Sequence, residues 1–282
     1  MRDTQVGSAS ATAPVLRVSD LTTEFAARRG SVTVLHDLAL AVAPGEVLGI
    51  VGEAGAGKTV LVRSLLQLLP ENGRIVRGQV LLKGRDLLRI SPAELRQLRG
   101  KEIAHILPNA KVQLNPLVRI GDMMSAVVRT HHKVSQSEAR QQAVAILNRV
   151  GIPDPERRLS AFPHELSGGM AQRVCIALAL IHNPGLIIAD EPTAGLDVTV
   201  QRQVLDIMAD LVHQRRAAQL IVTRDLGIVA HYCQRVAVMR AGHIVEEAPV
   251  MELFDYPQHP YTQKILQAAS AARVTRLVRT AV

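Results

Sequence analysis

The chain has 282 residues, 48% hydrophobic and 21% charged, the composition of a globular protein able to bury one large core or two modest ones. No run is apolar enough to cross a bilayer; the best, Val174 to Ile181, is closed off by His182, Asn183, Pro184 and Gly185. Lys and Arg number 33 against 25 acids, a formal charge of +8, but the basic residues are scattered, aromatics are 2% and Trp is absent, which argues against nucleic acid and for a solvated surface.

Residues 1–14, rich in Ser, Ala and Thr without a continuous apolar stretch, read as a loose leader and not as an export signal. Short strands are expected at 15–18, 32–35 and 39–42, the last just before the Pro44-Gly45 turn. Residues 47–51 form a buried-strand run, 59–69 a helix closed by Pro70 and Gly73, and 79–82 a further strand. Helical spacing then dominates, at 92–98, 120–130 and 135–150, so that about 92–165 reads as a helical insertion. Ser135 followed by Glu138 is a capping box for the last of these helices.

Beyond the insertion come a helix at 170–181, a buried strand at 186–189, a helix at 199–214, a strand at 219–223 and a helix at 226–233. Residues 236–240 and 243–247 make a two-stranded finish, and 263–282 are helical before fraying into a tail. In that tail Arg273, Arg276 and Arg279 form a solvated face or a contact to lipid headgroups. Strands alternating with helices indicate an α/β core with a mostly parallel sheet. Cys175 and Cys233 are too few and too far apart for a metal site or disulfide framework, which points to a reducing, cytoplasmic setting.

The run Gly52-Glu53-Ala54-Gly55-Ala56-Gly57-Lys58-Thr59 matches the phosphate-loop pattern in full, after a strand and at the opening of a helix. Its glycines let backbone N–H groups turn toward phosphate oxygens, and the helix N-terminus adds positive potential. Lys58 is placed to bridge the β- and γ-phosphates of ATP, and Thr59 to offer its hydroxyl to Mg²⁺. Downstream, Asp190 and Glu191 end an apolar strand. A buried acid is costly without a cation, so Asp190 is the second expected Mg²⁺ ligand and Glu191 the general base for the attacking water.

Between them, Leu166-Ser167-Gly168-Gly169-Met170-Ala171-Gln172 is a second glycine-rich helix entry, able to present Ser167 and the N–H groups of Gly168 and Gly169 to an anion. With Ala194-Gly195-Leu196-Asp197 after the acids, the chain resembles the ATP-binding-cassette ATPases from about Val15 to Glu247. That resemblance implies a P-loop NTPase core, an N-terminal antiparallel β-subdomain and an inserted helical subdomain, within a cassette domain of about 15–250 and a tail from 251 to 282. It also implies two subunits that sandwich two ATP molecules. Each site then joins the phosphate loop of one chain to the signature of the other, and Asp197 counts among the nucleotide-binding residues.

Leu114-Asn115-Pro116, Ile120-Gly121-Asp122 and His259-Pro260-Tyr261-Thr262 resemble importer ATPases for oligopeptides, dipeptides and nickel. The implied partners are a second ATPase subunit, two membrane permeases and an extracytoplasmic binding protein, with this chain peripheral on the cytoplasmic face. The cysteine-rich tail of some relatives is absent, so no iron–sulfur cluster is expected. A non-transport cassette ATPase acting on DNA or ribosomes is the competing class, and a nearly non-hydrolysing regulatory subunit a third.

Two positions depart from the family. Pro108 stands where a Gln ordinarily reaches Mg²⁺ and water, and it has neither a side-chain oxygen nor an N–H. Arg224 stands where a His ordinarily contacts the γ-phosphate; it is a permanent donor that accepts nothing. Binding is expected to survive these changes better than hydrolysis, which favours a heterodimer in which Ser167 completes a partner's competent site. For adenine, Phe25 is the only aromatic upstream of the loop; Arg29 is an alternative platform, and core packing an equal reading of Phe25.

Overall fold

The structure is a computed structural model that describes residues 13–279, the side chains of 111 and 270–279 excepted. The reading placed on the leader before residue 13 therefore lies outside the described residues, and that on Arg273, Arg276 and Arg279 concerns side chains that are not described.

An antiparallel sheet begins the chain: β1 (Leu16–Ala27), β2 (Gly30–Val42), β4 (Gly73–Leu82) and β5 (Arg85–Asp86), in the order β2-β1-β4-β5. The two short strands expected at 32–35 and 39–42 are one strand, and the strand expected at 15–18 runs on to Ala27. Polar residues hid this continuity. Asp20 and Asp37 take left-handed backbone at φ 51° and 44°, and the register slips around Leu21 and Leu38 as a bulge, so pairing resumes beyond them.

The second sheet has the order β10-β9-β3-β8-β7-β6: β3 (Val47–Val51), β6 (Ile103–Ile106), β7 (Leu186–Asp190), β8 (Ala218–Thr223), β9 (Arg235–Arg240) and β10 (His243–Pro249). All of its pairs are parallel except β9 with β10. Every residue of β3, β7 and β8 is buried, as both faces of such a sheet are covered. Each fully buried Leu, Ile or Val there contributes roughly 1.5–3 kcal/mol.

The reading of 92–165 as helical needs one correction, because β6 within it pairs with β7 in the main sheet. Four residues are too few for periodicity to separate a buried strand from a helical turn. Helix α2 (Pro92–Leu98) precedes β6, and the helices that follow are α3 (Ala110–Gln113), α4 (Ile120–His131), α5 (Gln136–Arg149) and α6 (Pro155–Arg158). The Ser135 box forms: its Oγ accepts the Glu138 N–H at 3.2 Å, and the Glu138 carboxylate accepts the Ser135 N–H at 2.8 Å.

Helix α1 (Lys58–Leu65) stops short of the expected end at 69, and Gly73 opens β4 instead of closing the helix. Its Ser64 Oγ lies 3.0 Å from Thr23 Oγ1 of β1, a buried hydrogen bond between the antiparallel lobe and the helix behind the phosphate loop. The remaining helices are α7 (Gly168–Leu180), α8 (Val198–His213), α9 (Leu226–Tyr232), the unexpected α10 (Val250–Asp255) and α11 (Pro260–Arg279).

Candidate active site

Four neighbouring strands, β3, β8, β7 and β6, end along one edge of the main sheet. Val51 is in register with Thr223, Val222 with Asp190, and Ala189 with Ile106. The residues that follow these ends are Gly52 on β3, Arg224 on β8, Glu191 on β7 and Pro108 two places beyond β6. Positions distant in sequence thus converge on the carboxyl edge of a parallel sheet, where such folds place ligands.

The phosphate loop turns between β3 and α1. Gly57 caps the helix at φ 101°, and Gly55 sits at φ 82°, both in the region that favours glycine. Gly52 is required for space: a Cβ there would stand 2.2 Å from the Met239 carbonyl oxygen of β9. The turn after β9 closes the loop from that side, with the Gly242 N–H donating to the Ala56 carbonyl at 2.9 Å. Lys58, 8% exposed, donates to the carbonyls of Gly52 at 2.6 Å and Glu53 at 3.0 Å. Burial pushes its ammonium below the usual lysine value; Glu191 opposes that, Arg224 adds to it and Asp190 opposes it.

Asp190, 6% exposed, has its carboxyl raised by burial and then by Glu191, against the pull of Lys58 and Arg63. It has no ion pair among the described residues. A buried, unpaired carboxylate and the exposed Thr59 hydroxyl supply the oxygen donors that Mg²⁺ prefers, so these residues fit the ion. Glu191 follows with left-handed backbone at φ 45°, its N–H donating to the Val222 carbonyl at 2.8 Å. Its Oε1 accepts from Arg224 Nε at 3.2 Å.

The signature forms a separate cluster. Ser167 caps α7, its Oγ accepting the Met170 N–H at 3.2 Å, and Asp197 caps α8, accepting the Val200 N–H at 3.0 Å. A Cβ on Gly169 would stand 2.5 Å from Val200 Cγ1, so α7 meets the start of α8 only through glycine; Gly168 faces Leu196. Among the described residues no hydrogen bond or ion pair joins this cluster to Glu53, Ala54 or the rest of the phosphate loop. Phe25 is half-buried in β1, opposite Val32 and Gly73, with its ring against Gly73. Sequence reasoning missed Met239 and Gly242 as walls of the loop, Arg63 beside Asp190, and the contact of Tyr261 with Glu53. Met239, Gly242 and Tyr261 lie nearly two hundred or more residues from the loop, and Arg63, though on α1, meets Asp190 only because β7 ends beside that helix.

This edge and the two sheets define a phosphate-loop nucleoside triphosphatase of the cassette type. The chain belongs to the ABC transporter family, an ATPase family in which it is an ATP-binding subunit: residues 35–194 match that family. It is 45% identical over 266 residues to the probable peptide ABC transporter ATP-binding protein y4tR of Sinorhizobium fredii, covering 94% of this chain and 79% of that one. It is 45% identical over 253 residues to the oligopeptide transport ATP-binding protein OppD of Bacillus subtilis, covering 89% and 71%.

Two solved structures share the fold. The ATP-binding cassette MJ0796, in a dimeric post-hydrolysis state bound to ADP and Pi, superposes with a TM-score of 0.75 at 23% identity, over 83% of this chain and 98% of that one. CbiO1 of Clostridium perfringens, part of the transporter complex cbiONQ, gives 0.74 at 24% identity, over 95% and 99%. No helix of the described residues is long and apolar enough to cross a membrane.

Proposed function

We propose that this chain is one of two different ATPase subunits driving an importer of peptides or related small solutes, and that its own site holds ATP better than it cleaves it. The observation that carries this is the Arg224–Glu191 ion pair at the γ-phosphate end of the site, beside a Pro108 that cannot orient water. Arg224 grips one oxygen of Glu191, the carboxylate placed to act as base, and being donor-only it cannot take over the proton work.

The phosphate-binding parts are intact. Lys58 leaves its two carbonyls for the phosphate oxygens, Gly55 and Gly57 let the loop N–H groups face inward, and Thr59 with Asp190 holds Mg²⁺. The ion, when bound, neutralises charge on the phosphates. Ser167, Gly168, Gly169 and Asp197 serve the partner subunit's site, which sits on a different chain and carries the hydrolysis. Two membrane permeases and an extracytoplasmic binding protein complete the assembly, with this subunit at the cytoplasmic face; the names of the relatives favour peptides as cargo.

The isolated full chain is expected to bind Mg-ATP and turn it over slowly, while the complex copurified with its two permeases is active. Rapid hydrolysis by the isolated chain overturns the degenerate-site reading, and copurification with ribosomes or DNA in place of permeases overturns the importer.

A further inference from the structure

One peptide group of the phosphate loop is gripped at both ends. The peptide joining Gly52 to Glu53 offers its carbonyl to the Lys58 ammonium at 2.6 Å, and its N–H donates to the Tyr261 hydroxyl oxygen at 3.1 Å. Lys58 approaches from the loop itself and Tyr261 from the far end of the chain, and they fix the plane of that peptide between them.

The Tyr261 hydroxyl is itself held in place. Its residue is 5% exposed and packs in the same apolar cluster as Val51, the residue just before Gly52. The Arg240 guanidinium lies 5.0 Å over its ring centroid. Its backbone N–H donates to His259 Nδ1 at 3.1 Å. The loop leading to it is fixed to β10, where the Glu246 carboxylate accepts the N–H groups of Gln258 at 2.7 Å and His259 at 2.9 Å.

We infer that Tyr261 is a positioning residue for nucleotide binding, its hydroxyl setting the orientation of the Gly52–Glu53 peptide. The inference deepens the ATP-site reading and rests on it. In the free chain Lys58 and Tyr261 share the task. When Lys58 turns to phosphate, Tyr261 is the one side chain still bonded to that peptide, so its hydroxyl contributes more to the bound state than to the free one.

The test is Tyr261→Phe in the full chain, which keeps the ring, its burial and its contact with Arg240. The Kd for ATP is expected to rise roughly fivefold, the factor that one ordinary hydrogen bond represents. At saturating ATP the variant still binds as many nucleotides per chain as the wild type, a pattern that partial unfolding does not produce. The Glu53 amide, followed by hydrogen exchange with ATP bound, exchanges faster in the variant. An unchanged Kd overturns the inference whether or not the melting temperature falls.

If Tyr261→Phe does not fold, the wild-type chain decides: Glu53 N–H staying protected when ATP binds supports the inference, and losing protection overturns it. Wild type and Lys58→Ala serve as controls. A wild-type chain that fails to bind ATP removes the ATP-site reading itself. Wild type and Tyr261→Phe binding equally well removes only the role of Tyr261.

Discussion

Arg224 Nε, at the end of β8, lies 3.2 Å from Glu191 Oε1, at the end of β7. The arginine side chain is 67% exposed and the glutamate 27%, so the pair adds about 1 kcal/mol or less to stability. On the proposed function its weight is chemical, since it engages the carboxylate assigned there to polarise water.

Arg224→His together with Pro108→Gln is therefore expected to raise ATP turnover by the isolated chain about a hundredfold, the lower part of what a positioned acid–base group supplies. Steady-state phosphate release measures it. The melting temperature should move little, since the ion pair is largely solvated.

In the assembled complex, Glu191→Gln in this chain alone is expected to leave transport within about twofold of normal, because the proposed function gives this site little transition-state stabilisation to lose. Gly169→Val in this chain is expected to abolish most transport, because its side chain meets Val200 where even a Cβ stands 2.5 Å from Cγ1. Solute uptake by reconstituted complexes compares the two.

Gly52→Ala brings a methyl group to 2.2 Å from a backbone carbonyl that cannot swing aside. A loss of at least about 2 kcal/mol in denaturant unfolding is expected, with loss of nucleotide binding. Gly55→Ala meets nothing within 4 Å and carries only the strain of its φ, about 1–2 kcal/mol.

Acid should weaken the fold through His105. Burial lowers its pKa from 6.5 to about 4, Arg63 adding to the effect, and its Nε2 is buried without a partner. The unfolded chain then binds more protons between about pH 4 and 6.5, so the stability this neutral imidazole contributes is complete above pH 6.5 and is lost as pH falls toward 4. The slope approaches about 1.4 kcal/mol per pH unit. His182, lowered chiefly by burial, contributes with the same sign. His105→Phe should flatten the stability–pH curve across that window, as read by urea unfolding.

Much of the site was legible because its residues carry their chemistry in contiguous runs. Residues 52–59, 166–172 and the pair Asp190–Glu191 each announce a strand end or a helix entry by local spacing. The capping box at Ser135 was equally local. What escaped was set at long range. Strand β6 holds its place by pairing with β7, not by any pattern within four residues. The bulge at Asp20 and Asp37 joins what two polar interruptions appeared to divide. The walls at Met239, Gly242 and Tyr261 come from the far end of the chain, and no window around the glycine-rich loop contains them.

Glu191 sits at φ 45°, a conformation that disfavours any side chain by roughly 1–2 kcal/mol. At this position the backbone favours glycine, while the chemistry of the family calls for a carboxylate. Glu191→Gly is therefore expected to unfold at higher urea than Glu191→Ala, although both lack the base. Keeping glutamate there leaves a standing burden of stored strain in the folded chain, and the size of that gap measures what retaining the acid costs it.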